Sequence, residues 1–563
     1  MRRVSVFSAV VVGMVLLLVV RQGITLYMSD PATHLIRDRI KGIDAATLVE
    51  GEPLHNPDLV AGFYSEEGFR PVWSSEKHLT SKAEAFLAVL RGADDEGLNP
   101  KDYHLARVES LVRQWRNGER QVEKRIDLDL LLTDAFVAFG RHVRSGRVDP
   151  RMVYPDWYNF PRRENGDGEI LKVLKQDELG KALKVIQPAD SGYERLREAL
   201  FRYRNIERRG GWPSVPGGPK LKAGDRDDRV LLLRKRLSLS GDLDDGAEGG
   251  SLFDEKLDRA LRRFQTRHGL VADGVLGAST VEELNIPVEK RVRQLKLNLE
   301  RLRWLPRVLG DRYIFVNLAD FSLEVVEKDE TVMTMRIIVG RDEDDQRTLV
   351  FTSNITYLEI NPFWNVPESI AVNEIIPKVK DDPHYLSSRG IRIIDGWSEP
   401  AKEVDPESID WESLDPGQFR YRLRQDPGPR NPLGRVKFMF PNEFNIYLHD
   451  TPDRQLFERE RRAFSHGCIR IEKPLDLAAY LLKGYSDWKR EDILEAVASR
   501  QRQVVTLAEP VPVYIFYLTV WVDRNGLVHF CRDVYNGDRM LEQAMNYKPV
   551  RRAHLPAPAK FPG

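Results

Sequence analysis

The chain has 563 residues, of which 42% are apolar and 31% charged, a balance that supports packed cores and excludes wholesale disorder. At roughly 100–200 residues per domain, this length predicts about three or four structural units. The 86 basic and 86 acidic residues give a formal charge of zero, so we expect no nucleic-acid partner, and the mean hydropathy of −0.43 excludes a polytopic membrane protein.

The first 27 residues contain an apolar run from Val4 to Val20, which follows Arg2 and Arg3. A helix of this run, at 1.5 Å per residue, would span about 26 Å, close to the thickness of the hydrocarbon core of a bilayer. Residues 1–27 are therefore a signal anchor or a cleaved signal peptide, and we favour the anchor because no small-residue cleavage site closes the run. The positive flank predicts that the rest of the chain lies outside the inner membrane.

Residues 28–209 are predicted to form a helical domain. Within Asp127–Val143, apolar residues recur at helical spacing through Leu131, Ala135 and Phe139, and Gly146 ends the pattern. The aromatic segment Gly62–Trp73 is interpreted as packing against these helices rather than as a ligand site.

Residues 210–287 combine a linker with a small helical bundle. The linker, Gly210–Lys220, is rich in glycine and proline, and three short helices are predicted after it, separated by an Asp273-Gly274 turn. The leucine-rich first helix, Phe264-Gln265, His268-Gly269-Leu270 and the Asp-Gly turn resemble a peptidoglycan-binding domain. A spacer bundle without a ligand remains the alternative. Residues 288–310 are predicted to be a connecting helix.

From residue 311 to 505 the chain is rich in segments of β-branched and aromatic residues, which predict a mainly antiparallel β domain. A stretch rich in proline, glycine and aspartate at about 377–432 is long enough to be an inserted lid. Residues 506–563 are predicted to add C-terminal strands and a tail that pack on the same domain, with a hairpin turn at Asp523–Gly526.

Two segments of this β domain carry chemistry: Phe444–Pro452, which contains His449, and Ala463–Ile471, which contains His466 and Cys468. Strand alternation places Tyr447 and His449 on one face of the first segment. A cysteine that attacks an amide needs a base to take its proton, because a free thiol has a pKa of about 8.5.

We prefer His449 as the base, because it lies on a separate element and can be positioned independently of the cysteine. The carbonyl or side chain of Asp450 would orient its ring, and N–H groups near Gly467 and Cys468 would line an oxyanion hole. Two alternatives stand beside this interpretation. Cys468 could be a packed thiol, or the histidines and the cysteine could bind zinc, although their spacing fits no common zinc finger and a fourth ligand is not evident.

The sequence Phe464-Ser-His-Gly-Cys-Ile-Arg470, preceded by His449-Asp-Thr-Pro, resembles the signature of the L,D-transpeptidase family. Asn361–Pro367 and the N-terminal segments Gly68–Trp73 and Gly97–Tyr103 are similar to the large periplasmic branch of that family. The resemblance implies an α+β multidomain chain, with a helical scaffold, a three-helix peptidoglycan-binding-like bundle and a catalytic domain with a lid. Arg470 departs from the commoner asparagine.

The resemblance also implies roles for individual residues. Cys468 corresponds to the nucleophile, His449 to the general base and Asp450 to the residue whose carbonyl orients that base, while His466 and Gly467 shape the oxyanion region. Candidate substrate-binding residues are Ser465, Arg470, Tyr447 and Trp364, of which the two aromatic residues could equally be core. Cys531 has no motif around it and is interpreted as packing.

The implied activity is formation of 3→3 cross-links between peptidoglycan stems in the periplasm. A tetrapeptide stem is the donor and loses its terminal D-Ala, and the side-chain amine of a diamino acid is the acceptor. The resemblance also implies acylation by carbapenems and needs no cofactor and no metal. Alternatives are L,D-carboxypeptidase activity, transfer of a protein to the wall, or a catalytically silent peptidoglycan-binding scaffold.

Overall fold

The computed structural model describes residues 30–44, 46–155, 157, 166–244, 250–343, 346–396, 402–415, 418–483 and 488–546. The run Val4–Val20 and the end of the predicted tail, from residue 547, lie outside these ranges, so the signal anchor stays a prediction. Within the described ranges, no helix has both the length and the apolar content needed to cross a bilayer.

The chain divides into two compact units. The first comprises Met1–Arg147, Arg162–Phe201 and Leu302–Trp304, and the second comprises Val148–Pro161, Arg202–Arg301 and Leu305–Gly563.

The first unit is helical, as predicted. It also contains the two-stranded hairpin β1 (Leu48–Val49) and β2 (Glu52–Pro53). Its helices are α1 (Pro31–Ile40), α2 (Pro57–Glu66), α3 (Ser81–Arg91), α4 (Leu105–Arg116), α5 (Val122–Ser145), α6 (Asp167–Leu174), α7 (Leu179–Ala182) and the first part of α8 (Ser191–Arg208).

Helix α5 forms the centre of this unit, because residues on all its sides are buried. One of its buried carboxylates, that of Asp129, accepts hydrogen bonds from the backbone N–H groups of Val72 and Trp73, at 2.6 and 3.0 Å. The Trp73 indole is fully buried and donates to Thr133 of α5. These contacts confirm that the aromatic segment Gly62–Trp73 packs against helices.

The second unit begins with the predicted three-helix bundle, formed by α9 (Arg229–Leu239), α10 (Glu255–Arg267) and α11 (Ala278–Leu284). The Gln265 side chain fixes the Asp273-Gly274 turn, because its amide donates to Asp273 at 2.8 Å and accepts from the Gly274 N–H at 2.9 Å. Gly274 has a positive φ of +68°, and a Cβ there would collide with the Asp258 carboxylate. Helix α12 (Val288–Leu302) leads out of the bundle.

A nine-stranded sheet makes up most of the remainder. Its strands, in spatial order, are β13 (Ala463–Ser465), β5 (Glu330–Gly340), β14 (Ile469–Ile471), β12 (Leu448–His449), β11 (Val436–Met439), β6 (Phe351–Ile360), β15 (Gln503–Phe516), β3 (Arg312–Asn317) and β4 (Ser322–Glu327). Because β4 also pairs with β5, eight of them form a closed ring. The pairs β12–β14, β13–β5 and β15–β3 are parallel and the others antiparallel.

An inserted subdomain between β6 and β11 has its own sheet and its own apolar cluster. The sheet runs β7 (Trp364–Asn365), β10 (Arg422–Gln425), β8 (Ile391–Asp395), β9 (Lys402–Val404), and the helices are α13 (Glu368–Ile370), α14 (Ile376–Asp381) and α15 (Tyr385–Arg389). The insertion starts at β7, before the predicted residue 377, because the pairing of Trp364 with Gln425 joins it to the small sheet.

The C-terminal region differs from the prediction in two ways. Strand β15 is continuous across the predicted boundary at 505/506, with an irregularity between Thr506 and Val511. The hairpin β16 (Val520–Val522) and β17 (Val528–Phe530) does form, and it contacts the bundle as well, where the His268 ring stacks on Phe530 at 5.3 Å. The flanking residues contact the main sheet, since the Leu518 N–H donates to the Asn317 side chain of β3 at 2.9 Å and the Tyr535 hydroxyl donates to the Gly340 carbonyl of β5 at 2.5 Å. The remaining helices are α16 (Pro474–Leu482), α17 (Arg490–Ala498) and α18 (Gly537–Asn546).

Candidate active site

Parallel pairing of β12 with β14 brings the two candidate segments together. His449 lies opposite Arg470, and the Ile469 N–H donates to the Tyr447 carbonyl at 3.0 Å. Because side chains alternate along a strand, Tyr447, His449, Cys468 and Arg470 share one face. The opposite face carries apolar residues, including Leu448, Ile469 and Ile471, which are completely buried and hold the two strands in register.

His449 is a buried, neutral imidazole. Its Nδ1 lies 2.6 Å from the carbonyl oxygen of Asp450, so Nδ1 carries the hydrogen and Nε2 remains an acceptor. Burial, together with the nearby Arg470 cation, lowers the pKa of His449 to about 3. The ring is therefore uncharged at neutral pH and can take a proton.

Asp450 orients His449 through its main-chain carbonyl, whereas its carboxylate binds two arginines. That carboxylate is buried and accepts from the Arg435 N–H and Nε, at 3.0 and 2.7 Å, and from Arg454 at 3.3 Å. The chain can approach this closely because residue 434 is a glycine with φ +61°, where a Cβ would lie 2.5 Å from that of Asp450. The two arginines thus fix the carbonyl that holds the imidazole.

Cys468 is partly exposed, and its sulfur lies 3.5 Å from the Asn445 carbonyl oxygen. Burial of the sulfur raises the pKa of the thiol above its ordinary 9.0, although hydrogen bonds from Tyr447 and the charges of Lys437 and Arg470 act to lower it. At rest the site therefore holds a neutral thiol and a neutral imidazole. Proton transfer to a base must accompany attack by the sulfur.

The loop before Cys468 is held by hydrogen bonds. The Ser465 hydroxyl donates to the Cys468 carbonyl at 2.5 Å, and Thr348 donates to the Gly467 carbonyl at 2.8 Å. Gly467 has a φ of +108°, which a residue with a side chain rarely adopts. Its N–H donates to Ser465 at 3.3 Å, whereas the Cys468 N–H has no acceptor within the described part of the chain. Of the two predicted oxyanion donors, the Cys468 N–H is the available one.

His466 faces the inserted subdomain. Its Nε2 lies 2.5 Å from a carboxylate oxygen of Glu374, in a π-helical turn at Ala371–Ile375. This nitrogen is therefore engaged by a carboxylate of the insertion, whereas no described side chain bonds to the Nε2 of His449, which favours His449 over His466 as the base. The sequence carried no signal that would have pointed to Glu374.

Lys437 is a further residue of this site that sequence reasoning missed. It lies opposite His449 in the β11–β12 register, and its Nζ is 3.8 Å from the centre of the Tyr447 ring. Burial lowers the pKa of Lys437, while the nearby Glu359 and Cys468 raise it. A lone charged residue in the otherwise apolar strand Val436–Met439 was the available signal.

The remaining predicted residues are Arg470, Trp364 and Cys531, and each is held by contacts of its own. Arg470 pairs with Asp453 at 3.0 Å and has a buried Nε that no described residue bonds to. Trp364 packs against the apolar cluster of the insertion. Burial raises the pKa of the Cys531 thiol well above 9.0, and its sulfur lies 3.4 Å from the Leu518 carbonyl oxygen, in keeping with a packing role.

In the described residues, the side chains close enough together to hold a metal ion are His55, His104 and Asp134, all in the first unit. Both ring nitrogens of His104 are already engaged, by Asp134 and Glu52, each at 2.8 Å. The arrangement is therefore that of a buried ion pair, and it does not include the Cys468 site.

The second unit thus contains a β-rich domain that presents a cysteine and a buried histidine on one face of a closed sheet. Three family models match the chain: "L,D-transpeptidase catalytic domain" over residues 311–505, "Scaffold domain" over 58–200 and "Putative peptidoglycan binding domain" over 226–284. The chain therefore carries an L,D-transpeptidase catalytic domain together with scaffold and peptidoglycan-binding domains. The predicted family resemblance and fold class are confirmed.

Among curated proteins, the chain is 35% identical over 291 residues to a "Putative L,D-transpeptidase" of Haemophilus influenzae, an alignment that covers 50% of this chain and 57% of that protein. A segment of 80 residues is 36% identical to the N-acetylmuramoyl-L-alanine amidase CwlM of Mycobacterium tuberculosis, covering 13% of this chain and 20% of that protein. The chain thus spans little more than half the length of the first relative.

Two solved L,D-transpeptidase structures are also similar. The protein from Xylanimonas cellulosilytica is 15% identical, with 54% of this chain and all of that chain covered and a TM-score of 0.17. The protein from Stackebrandtia nassauensis is 15% identical, with 54% and 96% covered and a TM-score of 0.21.

Proposed function

We propose that the protein is a periplasmic peptidoglycan L,D-transpeptidase that forms 3→3 cross-links through a thioester on Cys468. The observation that supports this most strongly is the pairing of β12 with β14. It sets the nucleophile loop beside His449, whose ring is neutral and oriented by the Asp450 carbonyl. The matching catalytic and peptidoglycan-binding families support the substrate class.

In the acylation step, the Cys468 sulfur attacks the carbonyl carbon that joins the diamino acid of a tetrapeptide stem to its terminal D-Ala. The thiol proton passes to Nε2 of His449, and the negative charge develops on the carbonyl oxygen, which the Cys468 N–H can stabilise. Collapse breaks the carbon–nitrogen bond, His449 returns the proton to the leaving amine, and D-Ala departs. The products are a thioester and free D-Ala.

In the second step, the side-chain amine of a diamino acid on another stem attacks the thioester. His449 takes a proton from this amine and returns it to the departing sulfur, which restores the thiol and leaves a 3→3 amide bond. Water in place of the amine would give a trimmed tripeptide, which is the carboxypeptidase alternative. Lys437 and Arg470 lower the cost of negative charge on the sulfur in both steps.

The test is incubation of the protein with purified disaccharide tetrapeptides, followed by mass spectrometry. We expect cross-linked dimers with one D-Ala released for each new bond. Cys468→Ala should give no product and no carbapenem adduct, whereas the matched Cys531→Ala variant should retain both. Trimmed monomers without dimers would instead assign carboxypeptidase activity, and an adduct on Cys468→Ala would remove the nucleophile. Absence of both products and adduct from the wild-type protein would favour the silent scaffold.

A further inference from the structure

The nucleophile loop carries a second imidazole, that of His466, which keeps one basic nitrogen available. Its Nε2 lies 2.5 Å from a carboxylate oxygen of Glu374, and because an ionised carboxylate only accepts, Nε2 carries the hydrogen. The lone pair of the neutral ring is then on Nδ1, which bonds to no described residue. A free acceptor nitrogen therefore lies on the side chain two positions before Cys468.

The inserted subdomain holds Glu374 at this loop. Glu374 lies in the π-helical turn Ala371–Ile375, whose first and last residues are buried in the apolar cluster of the insertion. Single π-helical turns are frequent at functional sites, because they change the direction of the side chains that they carry. The cluster anchors the turn, and the Glu374 carboxylate extends from it to His466.

Glu374 also differs in charge balance from the other carboxylates around this site. Asp450, Asp453 and Glu359 each pair with an arginine, at 2.7, 3.0 and 3.1 Å. No lysine or arginine of the described chain pairs with Glu374, and its second oxygen bonds to no described residue. The negative charge that is not balanced by an arginine is thus that of Glu374, which favours a cationic group at this place.

The two histidines of the site differ in accessibility. The side chains of His466 and Glu374 are 27% and 38% exposed, whereas His449 is 4% exposed. A second substrate can reach the exposed pair, and a proton taken there can pass on to water. The buried ring of His449 must instead return its proton to a group within the site.

The acceptor of a cross-linking reaction makes a demand that His449 alone does not meet. A lysine-like side-chain amine has an ordinary pKa of about 10.4, so at neutral pH only on the order of one molecule in 10³ is the uncharged nucleophile. The ammonium must lose one proton before attack and a second one after it. His449 passes the second proton to the departing sulfur, which leaves the first proton without an acceptor.

We propose that Glu374 and His466 form the acceptor-amine site, in which the Glu374 carboxylate binds the incoming ammonium and Nδ1 of His466 takes the proton that leaves before attack. This inference rests on the proposed function, because it names the residues that receive its acceptor. An ammonium N–H bond breaks as the Nδ1–H bond forms, and the imidazolium lies against the Glu374 carboxylate. The freed amine attacks the thioester carbon, and the proton on His466 passes to water.

The test variant is Glu374→Gln, which keeps an oxygen for the His466 N–H and removes the charge. The full chain is incubated with a disaccharide tetrapeptide, and dimers and trimmed tripeptides are measured by mass spectrometry. We expect dimer formation to fall at least tenfold and the share of tripeptide to rise, while acylation by a carbapenem stays within about twofold. An unchanged rate of dimer formation would overturn the proposal.

The matched control is Glu368→Gln in α13. Glu368 is an exposed carboxylate of the same insertion and bonds to no described residue, so its variant should form dimers at the wild-type rate. An equal loss of dimers in both variants would show that any carboxylate of this helical segment has the same effect, and would overturn the assignment to Glu374.

Two simple amines separate a role in proton transfer from a role in loop structure. Methylamine is charged at neutral pH, whereas hydroxylamine is mostly uncharged and needs no proton removed before attack. Glu374→Gln should capture the tripeptide thioester with methylamine at least tenfold more slowly than the wild type, and with hydroxylamine at a rate within twofold. An equal loss with both amines would assign Glu374 a structural role and overturn the inference.

The same data separate this inference from the proposed function. A wild-type protein that forms no dimers, but whose thioester is captured by methylamine in a Glu374-dependent way, would overturn cross-linking and support the amine site. Dimers formed equally fast by the wild type and Glu374→Gln would support cross-linking and overturn the amine site. A wild-type protein that forms no thioester would overturn both.

Discussion

His104 in the first unit and His449 in the second are both buried, at 3% and 4% exposed, yet they favour opposite charge states. Burial lowers the pKa of His104, but hydrogen bonds and charges of Asp134 and Glu52 outweigh it and leave the pKa raised. Burial and the nearby Arg470 cation lower the pKa of His449 to about 3, because its hydrogen bond to the uncharged Asp450 carbonyl is too weak to offset them. Two equally buried histidines therefore differ in charge state because carboxylate partners offset the effect of burial at His104 and a carbonyl partner does not at His449.

The largest expected effect comes from removing the neutral imidazole. His449→Ala should slow acylation by a carbapenem about 10²–10⁴-fold at neutral pH, because the thiol loses its proton acceptor. His104→Ala should leave the rate within about twofold. The measurement is the second-order rate of adduct formation by mass spectrometry. If His466→Ala slows the reaction more than His449→Ala and recovers at alkaline pH, the base has been misassigned.

The second expected effect is on stability. His104→Ala leaves the fully buried Asp134 carboxylate without its cationic partner, which should cost about 3–5 kcal/mol of the free energy of unfolding of the first unit. The control is His78→Ala, at an exposed position of the same unit, which should change stability by less than about 0.5 kcal/mol. Urea unfolding followed by region-resolved hydrogen exchange measures both. Equal stability of the two variants would show that the ion pair contributes nothing net.

The third prediction concerns the thiol. Because its pKa is raised above 9.0, alkylation of Cys468 by iodoacetamide in a Cys531→Ser protein should rise about tenfold per pH unit from pH 6 to 9. A preformed thiolate–imidazolium pair would instead give a plateau at low pH. Lys437→Met should slow alkylation further, since it removes a cation that lowers this pKa, and Lys437→Arg should restore it. A plateau below pH 7 in the wild-type protein would contradict the neutral resting pair.

The smallest effect is a difference in pH dependence between the two histidines. The raised pKa of His104 gives stability that is fully present below pH 6.5 and is lost as pH rises through the folded-state pKa. The lowered pKa of His449 gives stability that is present above pH 6.5 and is lost as pH falls towards 3. From pH 5 to 8, the difference in urea midpoint between wild type and His104→Gln should therefore shrink. The difference between wild type and His449→Gln should grow over the same range. Parallel pH profiles would refute the contrast.

Much of the catalytic loop could be predicted from the sequence because its constraints are local. A glycine between His466 and Cys468 permits the φ of +108°, and strand alternation puts Tyr447 and His449 on one face whatever lies around them. The three bundle helices were equally predictable from apolar spacing and the Asp-Gly turn. The packing of the β16–β17 hairpin could not be predicted in this way, because it depends on a contact between Phe530 and His268, which are some 260 residues apart in the chain.

The sequence by itself determined the residue types, the alternation of strands and the turn at each special glycine, because these depend on neighbours a few positions away. Only the tertiary structure decided that the Asp450 carbonyl, and not its carboxylate, holds His449, that Lys437 stands opposite the base, and that Glu374 engages His466. The physical reason is that pKa values and hydrogen-bond partners are set by groups close in space. The strand register and the inserted subdomain bring these neighbouring groups together from distant parts of the chain.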